Sequence, residues 1–557
     1  MLDRLSTNPT LRSCLVVAFV EVIMHQPIES STVRSAAGSR SNPADVELDA
    51  ISGTVRKRIL LLLCVSVPSF MINLDSNIVA VSLSSIARSL HADFVAIEWV
   101  ISAYTLAFAT LVMPAGALAD RFGRKRLLMI GLLVFTTASF ICGAAASTVV
   151  LNTARALQGV GAAFQMSAAL AVLSHDFQGK ERAKAFAFWG SVIGVAIMLG
   201  PVAGGLITQS LGWQWAFYVN LPVGAIMIVL TYFVVEESKD PHAAAIDVWG
   251  VATFSAFLAL LTWALISGNR EGWLSAPVGA RLSGSVIFLF VFLLVEVKQA
   301  RPMVELGYFK KRTYLGANLA SASYSVAFLT MLTYLPFFFQ NALGYSPLDA
   351  GLLMLPLAVP LFGVPRIVSG YLDHRVSGRM LLVSGLLLVA VGLSGAALQI
   401  QAFNFDCIFV PILIASTGAG ILNGQIAKIG MTVIPVDRAG MASGVSGTMR
   451  FSGIVVGFTA LGALLFSRIR ADVERGLPAL AGHDMLDITR FIANGNLASA
   501  ASLISAHQGA VSLARTSLGY GYEGVLFAAS AVAFVASALC WLLISEDETA
   551  PHSDLSR

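Results

Sequence analysis

The stretch 116–126 reads Gly116-Ala-Leu-Ala-Asp120-Arg121-Phe-Gly123-Arg124-Lys125-Arg126. It separates two apolar runs, each about as long as a helix must be to cross a membrane. Gly116 lets two helices approach closely, Gly123 permits a tight turn, and Asp120 is placed to pair with a nearby cation or a helix N-terminus. The stretch therefore predicts a helical hairpin with a breakable ion pair, which can serve as a latch. The alternative is a plain cluster of basic residues that stops translocation.

The whole chain has the composition of a membrane protein. Hydrophobic residues make up 56% and charged residues 12% of its 557 residues, too few charges to cover the surface of a water-soluble protein of this length. Apolar runs of membrane length fall at 59–82, 98–119, 126–146, 149–172, 185–208, 214–235, 247–267, 281–297, 315–340, 350–371, 379–399, 406–428, 443–466 and 522–545. We therefore predict an all-α membrane protein with about fourteen transmembrane helices.

The distribution of Lys and Arg predicts the orientation. These residues are concentrated in alternate loops, at 121–126, 180–184, 298–312 and 375–379. Because cytoplasmic loops carry an excess of such residues, we predict an inner (plasma) membrane protein with both termini in the cytoplasm. Residues 1–54 are predicted to form a flexible cytoplasmic tail, since their apolar run is too short to cross a membrane, and residues 546–557 a second tail.

The stretch 116–126 closely resembles the signature motif of the major facilitator superfamily. Neighbouring segments resemble its fourteen-span drug:proton antiporters, the EmrB/QacA type. The resemblance covers about residues 55–545 and includes the segments Trp99–Tyr104, Gly418–Gly420 and Asp437–Gly444. It implies a gating role for the motif residues Gly116, Asp120, Arg121, Gly123, Arg124 and Lys125.

The resemblance also implies a major facilitator fold. Two six-helix bundles are expected at 55–240 and 301–545, with a transmembrane hairpin inserted at 241–300. A second copy of the motif follows the tenth apolar run and supports two related halves. This copy is degraded, because His374 stands in place of the Asp and Ser377 in place of the Gly, which weakens the prediction of a gating role there.

Asp75 is the one carboxylate well inside any of the marked apolar runs. Such a residue is the natural proton carrier of a transporter. Burial favours its neutral acid, whereas a cation such as Arg155 favours the carboxylate, and the balance lets it bind and release a proton. Arg155 begins the fourth run and is expected to face the bundle interior or an aqueous cavity. A structural carboxylate and a snorkelling Arg are the alternatives.

Small residues recur about one helical turn apart in the fifth run. They create a groove for close helix packing, and Pro201 removes a backbone hydrogen bond and kinks the helix. The segment resembles the superfamily's antiporter motif, and this resemblance favours exchange over symport. The residues concerned are Gly194, Gly200, Pro201, Gly204 and Gly205. Generic glycine-mediated packing is the alternative.

The sequence predicts a secondary active transporter that exports an amphipathic small molecule or drug in exchange for protons by alternating access. The residues expected to line its cavity are Gln158, Phe164, Gln165, Tyr324, Tyr334 and Gln340. One alternative is a non-transporting membrane receptor or scaffold. Another is an exporter of an anionic metabolite, suggested by Arg366 and Lys428 unless both snorkel to the interface.

Several other classes of function are not supported. There is no Walker A sequence and no nucleophile paired with a base in an outer loop, so we expect no enzyme. The five scattered cysteines lack metal-ligand or redox spacing, so we expect no metal and no cofactor, with the proton gradient as energy source. The expected partners are the small-molecule substrate, protons and the lipid bilayer, without nucleic acid. A periplasmic adaptor is left open.

Overall fold

The computed structural model describes residues 43–239, 247–299, 302, 304–435, 439–477, 483–503 and 510–549. Fourteen helices in these ranges are long and apolar enough to cross a membrane, and we number them α1 to α14. They are Arg56–Ser89, Val95–Phe122, Arg124–Gly143, Thr148–Asp176, Lys184–Ser210, Trp215–Val234, Val248–Glu271, Ala276–Lys298, Arg312–Asn341, Pro347–Leu372, Gly378–Ala402, Phe405–Thr432, Gly444–Gly476 and Ala510–Leu543. The predicted all-α membrane protein of about fourteen helices is confirmed.

Successive membrane helices run in opposite directions, and most of them are joined by short connections. We call the face at which α1 begins the amino face and the opposite one the far face. Side-chain caps start several helices: Asp93 accepts a hydrogen bond from the Ala96 amide at 2.8 Å before α2, and Asp247 accepts one from Gly250 at 2.8 Å before α7. Gly123 joins α2 to α3 with φ of +122°, a conformation that side chains other than glycine rarely adopt.

The helices form two bundles of six. In the first, α2 packs mainly on α4, α3 on α4 and α6, and α1 on α5. In the second, α11 packs on α12 and α14, α10 on α12, and α13 on α14. The bundles meet where α2 packs on α13, α5 on α10 and α1 on α9. The two predicted six-helix bundles are therefore present.

The hairpin of α7 and α8 lies between the bundles in sequence and outside them in space. α7 packs on α2 and α13, which are the two helices of one seam between the halves, and α8 packs mainly on α7. The faces of α8 are largely exposed, as expected for a helix that is surrounded by lipid.

The ends of the last two membrane helices differ most from the ends of the predicted apolar runs. α13 continues to Gly476, ten residues beyond its apolar run, and α14 begins at Ala510, twelve residues before its run. Between them lie two further helices, His483–Ala493 and Leu497–Leu503. Hydropathy marks only the part of a helix inside the hydrocarbon, so polar extensions at the far face escaped it.

Candidate functional site

A buried ion pair lies at the centre of the first bundle. Arg155 on α4 donates from Nη1 to Oδ2 of Asp75 on α1 at 2.7 Å, and both side chains are almost completely buried. The two residues predicted to couple protons are thus in direct contact. Neither has a second charged partner among the described residues, so the pair compensates its own charge inside the bundle.

Two amides complete the coordination of the Asp75 carboxylate. Gln158 on α4 donates to Oδ1 at 2.8 Å, and Asn220 on α6 donates to the same oxygen at 2.9 Å. Ser139 on α3 accepts from both amides, at 2.9 Å from Gln158 and 3.4 Å from Asn220. Four helices of one bundle therefore meet around this carboxylate, and it accepts three hydrogen bonds.

The guanidinium of Arg155 is held from several sides. Its Nε donates to the Val100 carbonyl at 3.0 Å, and Nη1 also donates to Gln158 Oε1 at 2.6 Å. The ring of Tyr104 lies 4.1 Å from the guanidinium carbon, close enough for a cation–π contact. Arg155 is therefore locked inside the bundle and does not snorkel to an interface.

This arrangement has a simple chemistry. A proton that reaches Asp75 removes its negative charge and one acceptor site, so Arg155, Gln158 and Asn220 lose part of their shared partner. No solvent reaches the carboxylate in this conformation, because Asp75 is fully buried. Proton exchange there requires the bundle to change shape, which is the property that a coupling site needs.

The stretch 116–126, predicted to form a gating latch, has its ion pair within its own hairpin. Arg124 donates to Oδ1 of Asp120 from Nη2 at 2.8 Å and from Nε at 3.0 Å, across the turn at Gly123. Arg121 lies 5.6 Å from the Phe122 ring. The close approach expected at Gly116 is absent, since a methyl group there would meet no heavy atom within 4 Å.

The same hairpin is tied to the end of α6. Lys125 donates from Nζ to the Tyr232 carbonyl at 2.6 Å, and the Glu237 carboxylate accepts from the Lys125 and Arg126 amides at 3.2 Å each. These contacts belong to one bundle. In this conformation the motif therefore fixes three helix ends of the first bundle to each other, and its described contacts do not bridge the two bundles.

The glycines of α5 contact two different neighbours. Gly200 and Gly204 face α1 of the same bundle, where a methyl group on Gly204 would lie 2.8 Å from Ile78 Cα. Gly205 faces α10 of the other bundle, and a methyl group there would overlap the Pro347 carbonyl oxygen. Pro201 also faces α10, because its carbonyl oxygen lies where a Cβ on Gly351 would be. Only part of the predicted motif thus lies between the bundles.

Gly194 makes a further contact between the bundles. A methyl group on Gly194 would lie 2.8 Å from Cδ2 of Phe362 on α10. Nearby, Arg366 donates to Ser191 Oγ on α5 at 2.9 Å and lies 3.8 Å from the Phe362 ring. The crossing of α5 and α10 is therefore close along much of its length.

The structure does not gather the six expected cavity residues around one cavity. Gln158 belongs to the Asp75 cluster, and Gln165 donates to the Gly131 carbonyl at 3.0 Å between α4 and α3. Phe164 is half-buried among apolar residues of the first bundle. Gln158 is thus a ligand of Asp75 in this conformation, which the sequence interpretation did not anticipate.

The three cavity candidates on α9 are also buried in separate contacts. Tyr324 stacks on Phe328 with ring centres 6.2 Å apart. Tyr334 donates to the Phe458 carbonyl at 2.6 Å, and Gln340 donates to the Val81 carbonyl of α1 at 2.7 Å. The Gln340 contact joins the two bundles near the far face.

Lys428 has a carboxylate partner. It pairs with Asp373 in the degraded second motif at 3.0 Å, and Gln425 donates to the same carboxylate at 2.6 Å. Since Arg366 is held by Ser191, neither cation gives specific support for an anionic substrate. Residues 437–438 of the resembling segment 437–444 lie outside the described ranges.

Comparison with known proteins agrees with the fold. Residues 65–458 match the model of the Major Facilitator Superfamily. The chain is 34% identical over 420 residues to the multidrug resistance protein Stp of Mycobacterium tuberculosis (strain CDC 1551 / Oshkosh), covering 75% of this chain and 78% of that protein. It is 28% identical over 535 residues to the tetracenomycin C resistance and export protein of Streptomyces glaucescens, covering 92% and 97% respectively.

A solved structure has the same fold at low identity. A bacterial homologue of the human lysosomal transporter Spinster, in an inward-facing and occupied conformation, superposes with a TM-score of 0.59 at 16% identity. The match covers 88% of this chain and 98% of that one.

Proposed function

Because the chain belongs to the major facilitator superfamily, a family of transport proteins, we propose that it exports an amphipathic, drug-like small molecule in exchange for protons. The relatives named for drug resistance or export support this class of substrate. The observation that carries the proton coupling is the buried Asp75–Arg155 pair, which gives the first bundle one titratable group at its centre.

The proposed coupling step is a change of charge at Asp75. As a carboxylate it accepts from Arg155, Gln158 and Asn220 and holds α1, α4 and α6 together. As a neutral acid it no longer balances Arg155, so the buried cation is left with a desolvation penalty. Relief of that penalty requires a rearrangement of the bundle, and this rearrangement is what we propose drives alternating access.

α1 transmits this change to the contact between the bundles. Val81 lies six residues after Asp75 on the same helix and accepts the hydrogen bond from Gln340 of the second bundle at 2.7 Å. A shift of α1 therefore acts at once on the closure of the far face. The small residues of α5 allow α1 and α10 to slide past it at close range.

We place the amino face in the cytoplasm of the plasma membrane. The Arg and Lys residues of the α2–α3 turn and of the loop before α5 support this orientation by the positive-inside rule. Both ends of the chain are then cytoplasmic, and an exported compound leaves at the far face.

Reconstituted liposomes test the proposal. A panel of lipophilic cationic dyes, antibiotics, organic acids and bile salts is offered with an imposed pH gradient, and pH is recorded inside. We expect movement of at least one amphipathic compound coupled to opposite proton flow, lost with an uncoupler and insensitive to ATP. Binding of such compounds without gradient-driven movement would instead favour the receptor or scaffold, and movement confined to organic acids would favour the anion exporter.

A further inference from the structure

Another carboxyl group, outside the Asp75 cluster, is buried in the membrane region. Glu98 lies in the first turn of α2, close to the far face, and is 3% exposed. Its Oε1 atom is buried and has no hydrogen-bond partner among the described residues. Such a group is costly to bury as a carboxylate and much less costly as a neutral acid.

Both bundles contribute to the surroundings of Glu98. Gly462 on α13 provides the room, because a Cβ there would overlap Glu98 Oε1 and lie 2.9 Å from the Tyr334 hydroxyl of α9. That hydroxyl donates to the Phe458 carbonyl at 2.6 Å. Glu98 therefore lies at the seam between the bundles, and residues of both bundles bury its carboxyl in this conformation.

A small cavity lies between Glu98 and part-exposed charged residues at the far face. A cavity of about 20 Å³, with room for one water molecule, is lined by Glu98, Gly462, Asn269 and three charged residues, Asp93, Arg270 and Arg490. Asp93 and Arg270 are themselves about half exposed. Protons from the far side thus have a route to this carboxyl that the Asp75 cluster lacks.

No described cation neutralises Glu98. Arg270 of α7 lies 4.0 Å from Asp93, and Arg490 of the helix His483–Ala493 pairs with Asp487 at 3.0 Å. The other titratable groups nearby are Asp93, a second carboxylate that lines the same cavity, and Tyr334, whose ring centre lies 6.4 Å from that of Tyr522. Every charged neighbour is therefore engaged elsewhere or repels a second carboxylate.

We propose that Glu98 is a second proton-binding site, which takes its proton from the far side and must hold it for the two bundles to close there. The inference rests on the proposed transport function, in which the bundles open and close at the far face. Glu98 does not carry the coupled proton: it is a sensor of external pH that acts on closure, whereas Asp75 is the coupling site.

The sign of the effect follows from the two states. Closure buries the neutral acid, and opening exposes it to water, where it can ionise. A lower external pH therefore favours the closed far face, and a higher pH favours the open one. Over the range in which Glu98 titrates, the closed-to-open ratio falls by up to about tenfold per pH unit, as expected for one proton bound on closing.

Distance measurement between spin labels tests this without any substrate. Labels are placed at S89C on α1 and Y345C before α10, both exposed at the far face on opposite bundles. Cys14 and the part-exposed Cys407 are replaced by serine, while Cys64, Cys142 and Cys540 are buried. The full chain in lipid nanodiscs is measured from pH 5 to pH 8.

We expect the long-distance, open population to grow with pH in the otherwise unchanged protein. Glu98→Gln should keep the closed population within about twofold across the range, because the amide cannot ionise. Asp93→Asn is the matched control, a neighbouring carboxylate whose amide still caps α2, and it should retain the pH response. An equal pH response in Glu98→Gln, or none in the unchanged protein, would overturn the proposal.

Gly462→Ala gives an independent reading if the Gln variant does not fold. Its methyl group takes the space of the Glu98 carboxyl, so the open population should rise at every pH. A closed far face with unchanged pH response in this variant would contradict the proposal. Because no transported compound is used, loss of the pH response refutes the role of Glu98 and absence of transport refutes the proposed function, each separately.

Discussion

Asp75 on α1 and Arg155 on α4 are 80 positions apart in the chain and form an ion pair of 2.7 Å inside the first bundle. Neither side chain has another charged partner in the described part of the chain. Each buried charge is therefore balanced by its partner in the pair and otherwise only by neutral hydrogen-bonding and aromatic groups, so a change at one affects the other.

The first prediction concerns Asp75→Asn. The amide cannot titrate, so proton-coupled export should be lost. The variant also leaves Arg155 as an uncompensated buried cation, which should cost about 3–5 kcal/mol of stability and lower the unfolding temperature. Export is measured in liposomes and unfolding by thermal denaturation in detergent.

A double variant separates coupling from stability. Asp75→Asn combined with Arg155→Gln removes both charges, so the unfolding temperature should recover while export stays absent. Uncoupler-sensitive export by the single or the double variant would show that Asp75 is not the proton carrier.

The second prediction concerns Gln158, which the sequence suggested for the substrate cavity. Since it donates to Asp75 at 2.8 Å, Gln158→Ala removes one of three donors to that carboxylate, a loss of about 1–3 kcal/mol. We expect the pH profile of export to shift in this variant, and the shift should be equal for every transported compound.

Gln165→Ala provides the matched control. This residue lies two turns further along α4 and donates to the Gly131 carbonyl, away from Asp75. It should lower stability and leave the pH profile in place. If Gln158→Ala changes which compounds are exported and leaves the pH profile unchanged, Gln158 contacts the substrate and does not act through Asp75.

The third prediction concerns the gating motif. Asp120 is 41% exposed and pairs with Arg124 inside one hairpin, so its ion pair contributes at most about 1 kcal/mol to stability. Asp120→Asn should therefore fold normally and slow the conformational exchange, with little effect on binding of a transported compound. Turnover and equilibrium binding of the same compound are compared.

Glu181→Gln is the control for this variant. Glu181 forms another exposed ion pair of the first bundle, with Arg58 at 2.6 Å, and is not part of the motif. It should not slow export. Normal turnover in Asp120→Asn, or equal loss of turnover and affinity, would contradict the latch role.

The sequence predicts the fold well because the apolar runs and the stretch 116–126 are both strong signals. Lipid excludes charge over a helix length, so apolar runs mark the spans, and the stretch 116–126 marks one turn between them. The helix His483–Ala493 escaped because it is amphipathic and lies beyond the apolar runs. Its residues have no membrane-length apolar pattern to reveal them.

Of the cluster around Asp75, the sequence predicts only the two charged residues as a pair. Asp75 and Arg155 stand out because ionised groups are rare in membrane helices. Asn220 and Ser139 have no such signal, since neutral polar residues are common in membrane helices. Asn220 is also 145 positions away in the chain from Asp75, to which it donates. Glu98 was missed because it is the first residue of its apolar run, where an acid is ordinary.

The last prediction concerns the glycines of α5, whose roles the structure separates. A glycine between the bundles is a position at which a larger residue would stop the halves from closing. The structure assigns that position to Gly205, which faces Pro347 of α10, while Gly204 packs on Ile78 of α1 in its own bundle.

Alanine at each position provides a matched pair. Gly205→Ala should keep the far face open, because its methyl group overlaps the Pro347 carbonyl oxygen only when the bundles close, and its unfolding temperature should change little. Gly204→Ala should cost about 1–3 kcal/mol through overpacking against Ile78 and leave the open population unchanged. The spin-label pair at S89C and Y345C reports the open population, and thermal denaturation reports stability. If Gly205→Ala closes as the unchanged protein does, its glycine is ordinary packing, and the α5 motif no longer argues for exchange over symport.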